Sequence, residues 1–231
     1  MHINQIIDYM HCPYKVKYSK DTDLRTMDID QIRTVAISSL AKSYLFSVYE
    51  NKTITNQNLR RQLGLIWNKL RSNIPFEFDW TDLAKLEDQC RRLPLIFPPD
   101  NSIVAVNYPT TLEINKAEIV GTIDAILRTK NSIELVIFDT SSITSSRLEF
   151  SIKANYYLAA CKQDIKYSKV PIKISVFKVI NGVLKNVEFN QKIDWKSVIS
   201  NVYNSKDIYY PRLTTDVCKT CIFKKSCEWA I

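Results

Sequence analysis

The chain is poor in glycine and lacks long apolar runs. Its 231 residues include only three glycines, Gly64, Gly121 and Gly182. No run of about 18 consecutive apolar residues occurs, so the sequence predicts no membrane-spanning helix and no membrane partner. The opening residues, MHINQIIDYMHCPYK, lack a basic segment followed by an apolar one, so we expect no signal peptide and a cytoplasmic protein.

The composition is that of a folded, basic protein without internal repeats or low-complexity segments. Hydrophobic residues make up 45% of the chain, enough for a substantial core, and we expect a single domain over residues 1–231. The formal net charge is +8, from 32 Lys and Arg against 24 Asp and Glu. This excess favours an anionic partner, of which nucleic acid is the commonest.

Hydrophobic periodicity predicts helices early in the chain and strands after them. The first helix carries the stripe Ile3, Ile6, Ile7 and Met10. Further helices are predicted over residues 35–49, 56–73, 81–92, 147–164 and 195–203, the one over 81–92 ending before Pro94. Strands are predicted over residues 110–114, 119–128, 133–139, 172–180 and 183–189, with Asn181-Gly182 as a hairpin turn.

The helix predicted over residues 56–73 is amphipathic, and its polar side is positively charged. We call this side the basic face; it consists of Arg60, Arg61, Lys69 and Arg71. Such a face is a candidate surface for the phosphates of nucleic acid. The alternative is a face that only meets solvent.

Two carboxylates stand on neighbouring predicted strands. Asp124 lies within the strand over 119–128, three residues after Gly121, and Asp139 ends the apolar strand over 133–139. A hairpin can bring the two side chains together, and paired carboxylates suit a hard divalent cation such as Mg²⁺ or Mn²⁺. The alternative is that Asp139 only caps a loop and Asp124 is a surface residue.

The six cysteines fall into two groups. Cys90 and Cys161 lie in predicted helices and are expected to be packing residues. The tail sequence CKTCIFKKSC places Cys218, Cys221 and Cys227 close together among lysines, which favours thiolates. In a cytosolic chain this is a metal or cluster half-site rather than a disulfide framework.

A fourth ligand is needed, and Cys12 in the Cys-Pro turn after the first helix is the best candidate. The four cysteines would hold tetrahedral zinc or a [4Fe–4S] cluster. Zinc sites usually use two short Cys pairs, so one cysteine plus a group of three fits zinc less well. Four unliganded thiols are the structural alternative.

The opening INQIIDYMHCPYKVKY and the late C-x2-C-x5-C together resemble the RecB-like nucleases that carry an iron–sulfur cluster. The resemblance is greatest to their CRISPR-associated exonuclease, the Cas family numbered four. Gly121-Thr-Ile-Asp124, Asp139-Thr-Ser141 and Lys153-x-x-x-Tyr157 stand where that family has G-x-x-D, acid-x-Lys and Gln-x-x-x-Tyr. The resemblance extends over essentially the whole chain.

The resemblance implies an α/β, restriction-endonuclease-like (PD-(D/E)XK) fold, a mixed sheet flanked by helices. Within it, residues 1–18 and 208–231 would form the iron–sulfur clasp, 19–107 a helical insertion and 108–207 the nuclease core. A [4Fe–4S] cluster would be held by Cys12, Cys218, Cys221 and Cys227. A divalent cation would be held by Asp124, Asp139 and the carbonyl of Thr140.

The sequence also departs from the family at three catalytic positions. Ser141 stands at the lysine position, Lys153 replaces the helical glutamine before Tyr157, and the segment 36–39 has no histidine. Lys153 is the nearest candidate counter-ion for the two acids, either as a static partner or as a migrated catalytic lysine. We therefore expect a DNA-binding subunit that cuts poorly or not at all and that acts with CRISPR-adaptation or other DNA-processing proteins. The alternatives are an active Mg/Mn-dependent exonuclease using Asp124, Asp139 and Lys153, and a zinc-stabilised scaffold.

Overall fold

The computed structural model describes residues 1–18, 29–73, 80–97, 102–139, 146–178, 183–186 and 193–204, together with Cys218, Cys221 and Cys227. Within these residues the chain has a mixed α/β fold, a five-stranded sheet flanked by helices. None of the helices described is both long enough and apolar enough to cross a membrane.

Helices come first in the chain: α1 (Ile3–His11), α2 (Pro13–Tyr18), α3 (Ile29–Tyr49), α4 (Asn56–Asn73) and α5 (Trp80–Ile96). The prediction for α4 is confirmed at both ends, whereas α3 begins six residues before the predicted 35. The prediction that α5 ends before Pro94 is wrong. Pro94 lies inside the last turn, and the Phe97 N–H still bonds to the Leu93 carbonyl at 2.9 Å.

The strands are β1 (Ile103–Ile114), β2 (Ala117–Arg128), β3 (Ile133–Asp139), β4 (Ile172–Lys178) and β5 (Val183–Asn186). They lie in the order β1-β2-β3-β4-β5; the β3–β4 pair is parallel and the other pairs are antiparallel. The parallel pair is connected through α6 (Ser146–Gln163), and α7 (Trp195–Asn204) follows the sheet.

Two strands begin earlier than the sequence predicts. β1 begins at Ile103 rather than 110, so the strand-rich part starts before residue 108, and β2 begins at Ala117 rather than 119. The hairpin predicted around Asn181-Gly182 joins β4 to β5, since Lys178 pairs with Val183, although the turn residues themselves lie outside the described part.

Each face of the sheet has its own core. The first contains buried residues of α1 and α6 with Ile123 and Ile137 of the sheet. The second contains buried residues of α3, α4 and α5 with Val136 and Phe138. Successive residues of β3 point alternately into the two cores, so the residues on both faces of this strand must be apolar. This explains the unbroken apolar run Leu135–Phe138.

The beginning of the chain is tied to the sheet. His2 and Val120 form a parallel bridge, and the Val120 N–H donates to the Met1 carbonyl at 2.8 Å. The His2 side chain accepts from the Asn4 N–H, and the His2 N–H donates to the Gln5 side chain, which together form a capping box for α1.

β1 forms one edge of the described sheet, and its exposed hydrogen-bonding groups are partly blocked. The side chain of Gln163 at the end of α6 accepts from the Glu113 N–H and donates to the Glu113 carbonyl, both at 3.0 Å. Pro109 on the same strand has no N–H to offer a further strand.

Candidate functional site

Asp124 lies on β2 beside the end of β3. Its Oδ2 accepts a hydrogen bond of 2.8 Å from the backbone N–H of Phe138, the residue immediately before Asp139. The Asp124 side chain is only 15% exposed. The hairpin therefore brings Asp124 to the backbone next to Asp139, while the Asp139 side chain itself lies outside the described part.

The second oxygen of Asp124 is held by a lysine that sequence reasoning missed. Lys42 Nζ on α3 lies 2.6 Å from Asp124 Oδ1, and the lysine side chain is 33% exposed. The same ammonium lies 5.7 Å from the ring centroid of Phe138. Both carboxylate oxygens of Asp124 thus have a donor in direct contact. One signal for Lys42 existed in the sequence, because it is the only charged residue in the predicted helix 35–49.

Lys153 is the lysine that the sequence predicts as the counter-ion of the two acids. It lies on α6, one turn before Tyr157, whose hydroxyl donates to the Thr122 carbonyl at 2.7 Å. Helix α6 packs into the first core, whereas Lys42 and α3 lie on the face of the second. Lys42 therefore contacts Asp124 from the face of the second core, and for Asp124 the role of Lys153 stays a prediction. For Asp139 it stays a prediction.

A second lysine lies at the ends of the parallel strands. Asp139 and Lys178 are paired in the β3–β4 register, and Lys178 is exposed. The strand ends therefore bring together backbone positions of one acid and one base, next to the Asp124–Lys42 pair. Two further predicted positions lie outside the described residues: Thr140, whose carbonyl would bind the metal, and Ser141, which stands where the family has a lysine.

The glycine of the G-x-x-D motif has a packing role. A Cβ atom at Gly121 would lie 2.6 Å from Tyr156 Cε1 and 2.9 Å from Ile3 Cγ2. The Tyr156 hydroxyl donates to the Thr110 carbonyl at 2.8 Å, and burial raises the pKa of Tyr156 to about 12. Only glycine lets β2 approach α6 and α1 this closely.

The four candidate cluster cysteines, Cys12, Cys218, Cys221 and Cys227, are each partly exposed. Cys12 caps the end of α1 through its N–H, which donates to the Asp8 carbonyl at 2.8 Å, and the Cys221 N–H donates to the Cys218 carbonyl at 3.3 Å. In the described part of the chain, no three His, Cys, Asp or Glu side chains are grouped so that they could hold a metal ion. Cysteine thiolates are the usual ligands of an iron–sulfur cluster, and a cluster on these four residues stays a prediction.

The other two cysteines are packing residues, as predicted. Cys90 and Cys161 are each 1% exposed. Burial raises the pKa of Cys90 to about 11 and that of Cys161 to about 12. Neither thiol is therefore an available nucleophile or ligand near neutral pH.

The basic face lies on the solvent side of α4. Its four residues are all exposed, whereas Leu59, Leu63 and Trp67 on the opposite side are buried. Arg60 Nε lies 3.8 Å from Glu87 Oε2 on α5, and the Arg60 side chain is 45% exposed.

The chain matches no protein-family model, and no curated protein matches it. Among solved structures, the crystal structure of SSO0001 matches over 100% of this chain and 87% of that chain, with a TM-score of 0.47 and 11% sequence identity. A likeness this weak assigns neither a family nor a function.

Proposed function

We propose that the protein is a DNA-binding member of the RecB-like iron–sulfur nucleases, with the PD-(D/E)XK fold and with cleavage lost or strongly reduced. It would act as a binding or assembly subunit beside CRISPR-adaptation or other DNA-processing proteins. The sequence motifs support the family, and the mixed α/β fold is compatible with it.

The observation that carries the loss of cleavage is the Lys42–Asp124 contact. A magnesium ion needs carboxylate oxygens at about 2.1 Å and tolerates little departure from octahedral geometry. Asp124 Oδ1 already contacts an ammonium at 2.6 Å, and Oδ2 accepts the Phe138 N–H at 2.8 Å. With Ser141 at the family's lysine position, neither the metal nor the activating base has its usual support.

The test is a nuclease assay on single-stranded and duplex DNA with Mg²⁺ and with Mn²⁺. We expect wild type and Asp124→Ala to give the same background cleavage, because the wild-type carboxylate is already engaged. Robust metal-dependent cleavage by wild type that Asp124→Ala abolishes would show instead an active exonuclease.

DNA binding is proposed to use the basic face on α4. Four exposed cations on one helix side suit a phosphate backbone, and four phosphate contacts should make binding fall by roughly 10² between about 50 and about 200 mM salt. Changing Arg60, Arg61, Lys69 and Arg71 to Gln should flatten the dependence of binding on salt. A matched variant, with Lys130, Lys162, Lys169 and Lys196 changed to Gln, loses the same charge and should bind like wild type.

Two results count against the proposed DNA interface. If both quadruple variants weaken binding equally, only overall charge matters and the basic face has no special role. If wild type does not bind DNA even at low salt, the DNA-binding function itself is excluded.

A [4Fe–4S] cluster on Cys12, Cys218, Cys221 and Cys227 is proposed from their spacing, with zinc as the alternative. Protein purified without oxygen should be brown and should absorb broadly near ~400 nm, where cluster thiolates absorb and zinc does not. Cys12→Ser should remove this absorption, whereas Cys90→Ser should keep it. Colourless protein with one equivalent of zinc identifies the zinc site instead.

A further inference from the structure

Lys42 is the only charged residue between positions 35 and 49 of α3, whose first turns also carry Asp30 and Arg33. Leu40 and Ala41 close to Lys42 are fully buried. Removing a lysine ammonium from water costs free energy unless an oppositely charged partner is in contact with it. Asp124 provides that partner at 2.6 Å.

The space beside Asp124 Oδ1 is therefore already occupied by a cation. A divalent ion bound to this oxygen at about 2.1 Å would have to share the position of the ammonium, which donates to the same oxygen. The other oxygen accepts the Phe138 N–H, which is fixed by the strand. The residues described do not fit a divalent cation while Lys42 stays in place.

The charges in contact lead to the same conclusion. Asp124 and Lys42 are in contact at 2.6 Å, and their charges cancel. A divalent cation placed at Asp124 would repel the Lys42 ammonium at short range.

We propose that the Lys42 ammonium is the resident cation of this site and excludes divalent metal ions from it, so that removing its charge creates a divalent-cation site at Asp124. This inference rests on the proposed loss of cleavage and deepens it, since it names the cation that the site accepts whether or not the protein binds DNA. Wild-type stability should then be independent of Mg²⁺ and Mn²⁺.

The experiment titrates Mn²⁺ into the full chain without DNA and follows free Mn²⁺ by electron paramagnetic resonance. Wild type should show only weak, non-specific binding of Mn²⁺. Lys42→Met should bind one Mn²⁺ about tenfold or more tightly than this background. Adding Asp124→Asn to Lys42→Met should remove the gained site. Lys52→Met is the matched control, because it breaks a 2.6 Å ion pair with Glu50 at an exposed position and should gain nothing.

Two outcomes overturn the proposal. One is Mn²⁺ binding by wild type that Asp124→Asn removes, and the other is a folded Lys42→Met protein, checked by circular dichroism, that gains no site. Lys42→Gln keeps a hydrogen-bond donor for Asp124 and takes the place of Lys42→Met if that variant does not fold. These titrations contain no nucleic acid, so their failure leaves the DNA-binding test untouched, and the converse also holds.

Discussion

Replacing Gly121 by alanine is expected to destabilise the fold, although alanine is a small and otherwise favourable residue. The new Cβ would meet Tyr156 Cε1 at 2.6 Å, Ile3 Cγ2 at 2.9 Å and the Tyr156 hydroxyl at 3.0 Å. Tyr156 is 0% exposed and Ile3 is 1% exposed, so neither side chain can move into solvent to relieve the contact. The strain must be taken up by the packed core of β2, α1 and α6.

The magnitude follows from three contributions. Overpacking of a filled core costs about 1–3 kcal/mol. Displacing Tyr156 weakens its hydrogen bond to the Thr110 carbonyl, which adds about 1 kcal/mol. Alanine also reduces the conformational entropy of the unfolded chain, which stabilises the folded state by about 0.4–1 kcal/mol. We expect the free energy of unfolding to fall by about 2 kcal/mol, measured from the urea midpoint at an unchanged slope.

Gly64 provides the matched control for this substitution. It lies in the interior of α4, and a Cβ added there would meet nothing within 4 Å. Gly64→Ala should therefore raise the free energy of unfolding by about 0.5–1 kcal/mol, the usual gain of alanine over glycine in a helix. If Gly121→Ala were neutral, or changed stability in the same direction as Gly64→Ala, the close packing of β2 against Tyr156 would be refuted.

Three further predictions concern other parts of the fold. Native protein treated with iodoacetamide at about pH 8 should stay unmodified at Cys90 and Cys161, because burial raises their pKa to about 11 and about 12. Urea-unfolded protein should react at both cysteines, and mass spectrometry detects the modification. The same pKa shifts predict how the free energy of unfolding depends on pH. It should be unaffected below about pH 9, the pKa of the unfolded thiols, and should fall as the pH rises towards 11 and 12, because the unfolded chain loses these protons first. A urea midpoint that rises over this range would contradict the prediction. Gln163→Ala should lower the free energy of unfolding by only about 0.5–1 kcal/mol. It should increase self-association in light scattering, because it uncovers the edge of the sheet at Glu113. Gln57→Ala, at an exposed position of α4, should do neither.

The helices that follow a simple apolar stripe were predictable from the sequence. Leu59, Leu63 and Trp67 recur at helical spacing and are buried in α4 as that pattern requires. The strand 133–139 was equally clear, because both of its faces are covered and its residues are apolar almost without interruption. In these segments local pattern and tertiary environment agree.

The first half of β1 was not predictable in the same way. Asn107 has a positive φ of 52°, and Pro109 offers no N–H, so this segment has weak strand propensity of its own. It becomes a strand because it pairs with β2, where Val106 lies opposite Ala125. Pairing of this kind is fixed by the partner strand and not by the local sequence.

The acids of the candidate site could be found from the sequence, but the cation beside Asp124 could not. Lys153 was the nearest lysine after the second acid, yet helix α6 packs on the other face of the sheet from Lys42. Which face a helix covers depends on how the chain crosses the sheet, and the spacing of residues does not record this. A lone lysine in an apolar helix was the available signal, without any indication of its partner.

The bridge between His2 and Val120 has a consequence for the order of events on the ribosome. Ile3, Ile6 and Ile7 are synthesised more than 110 residues before the strand that covers them, since Met1 and Glu118 are 117 positions apart. At about 5–20 residues per second, α1 waits on the order of 6–25 s with its apolar side uncovered. The apolar side of α1 can therefore be covered by β2 only after β2 has left the exit tunnel, and the contacts of Met1 and His2 with Val120 cannot form earlier in synthesis.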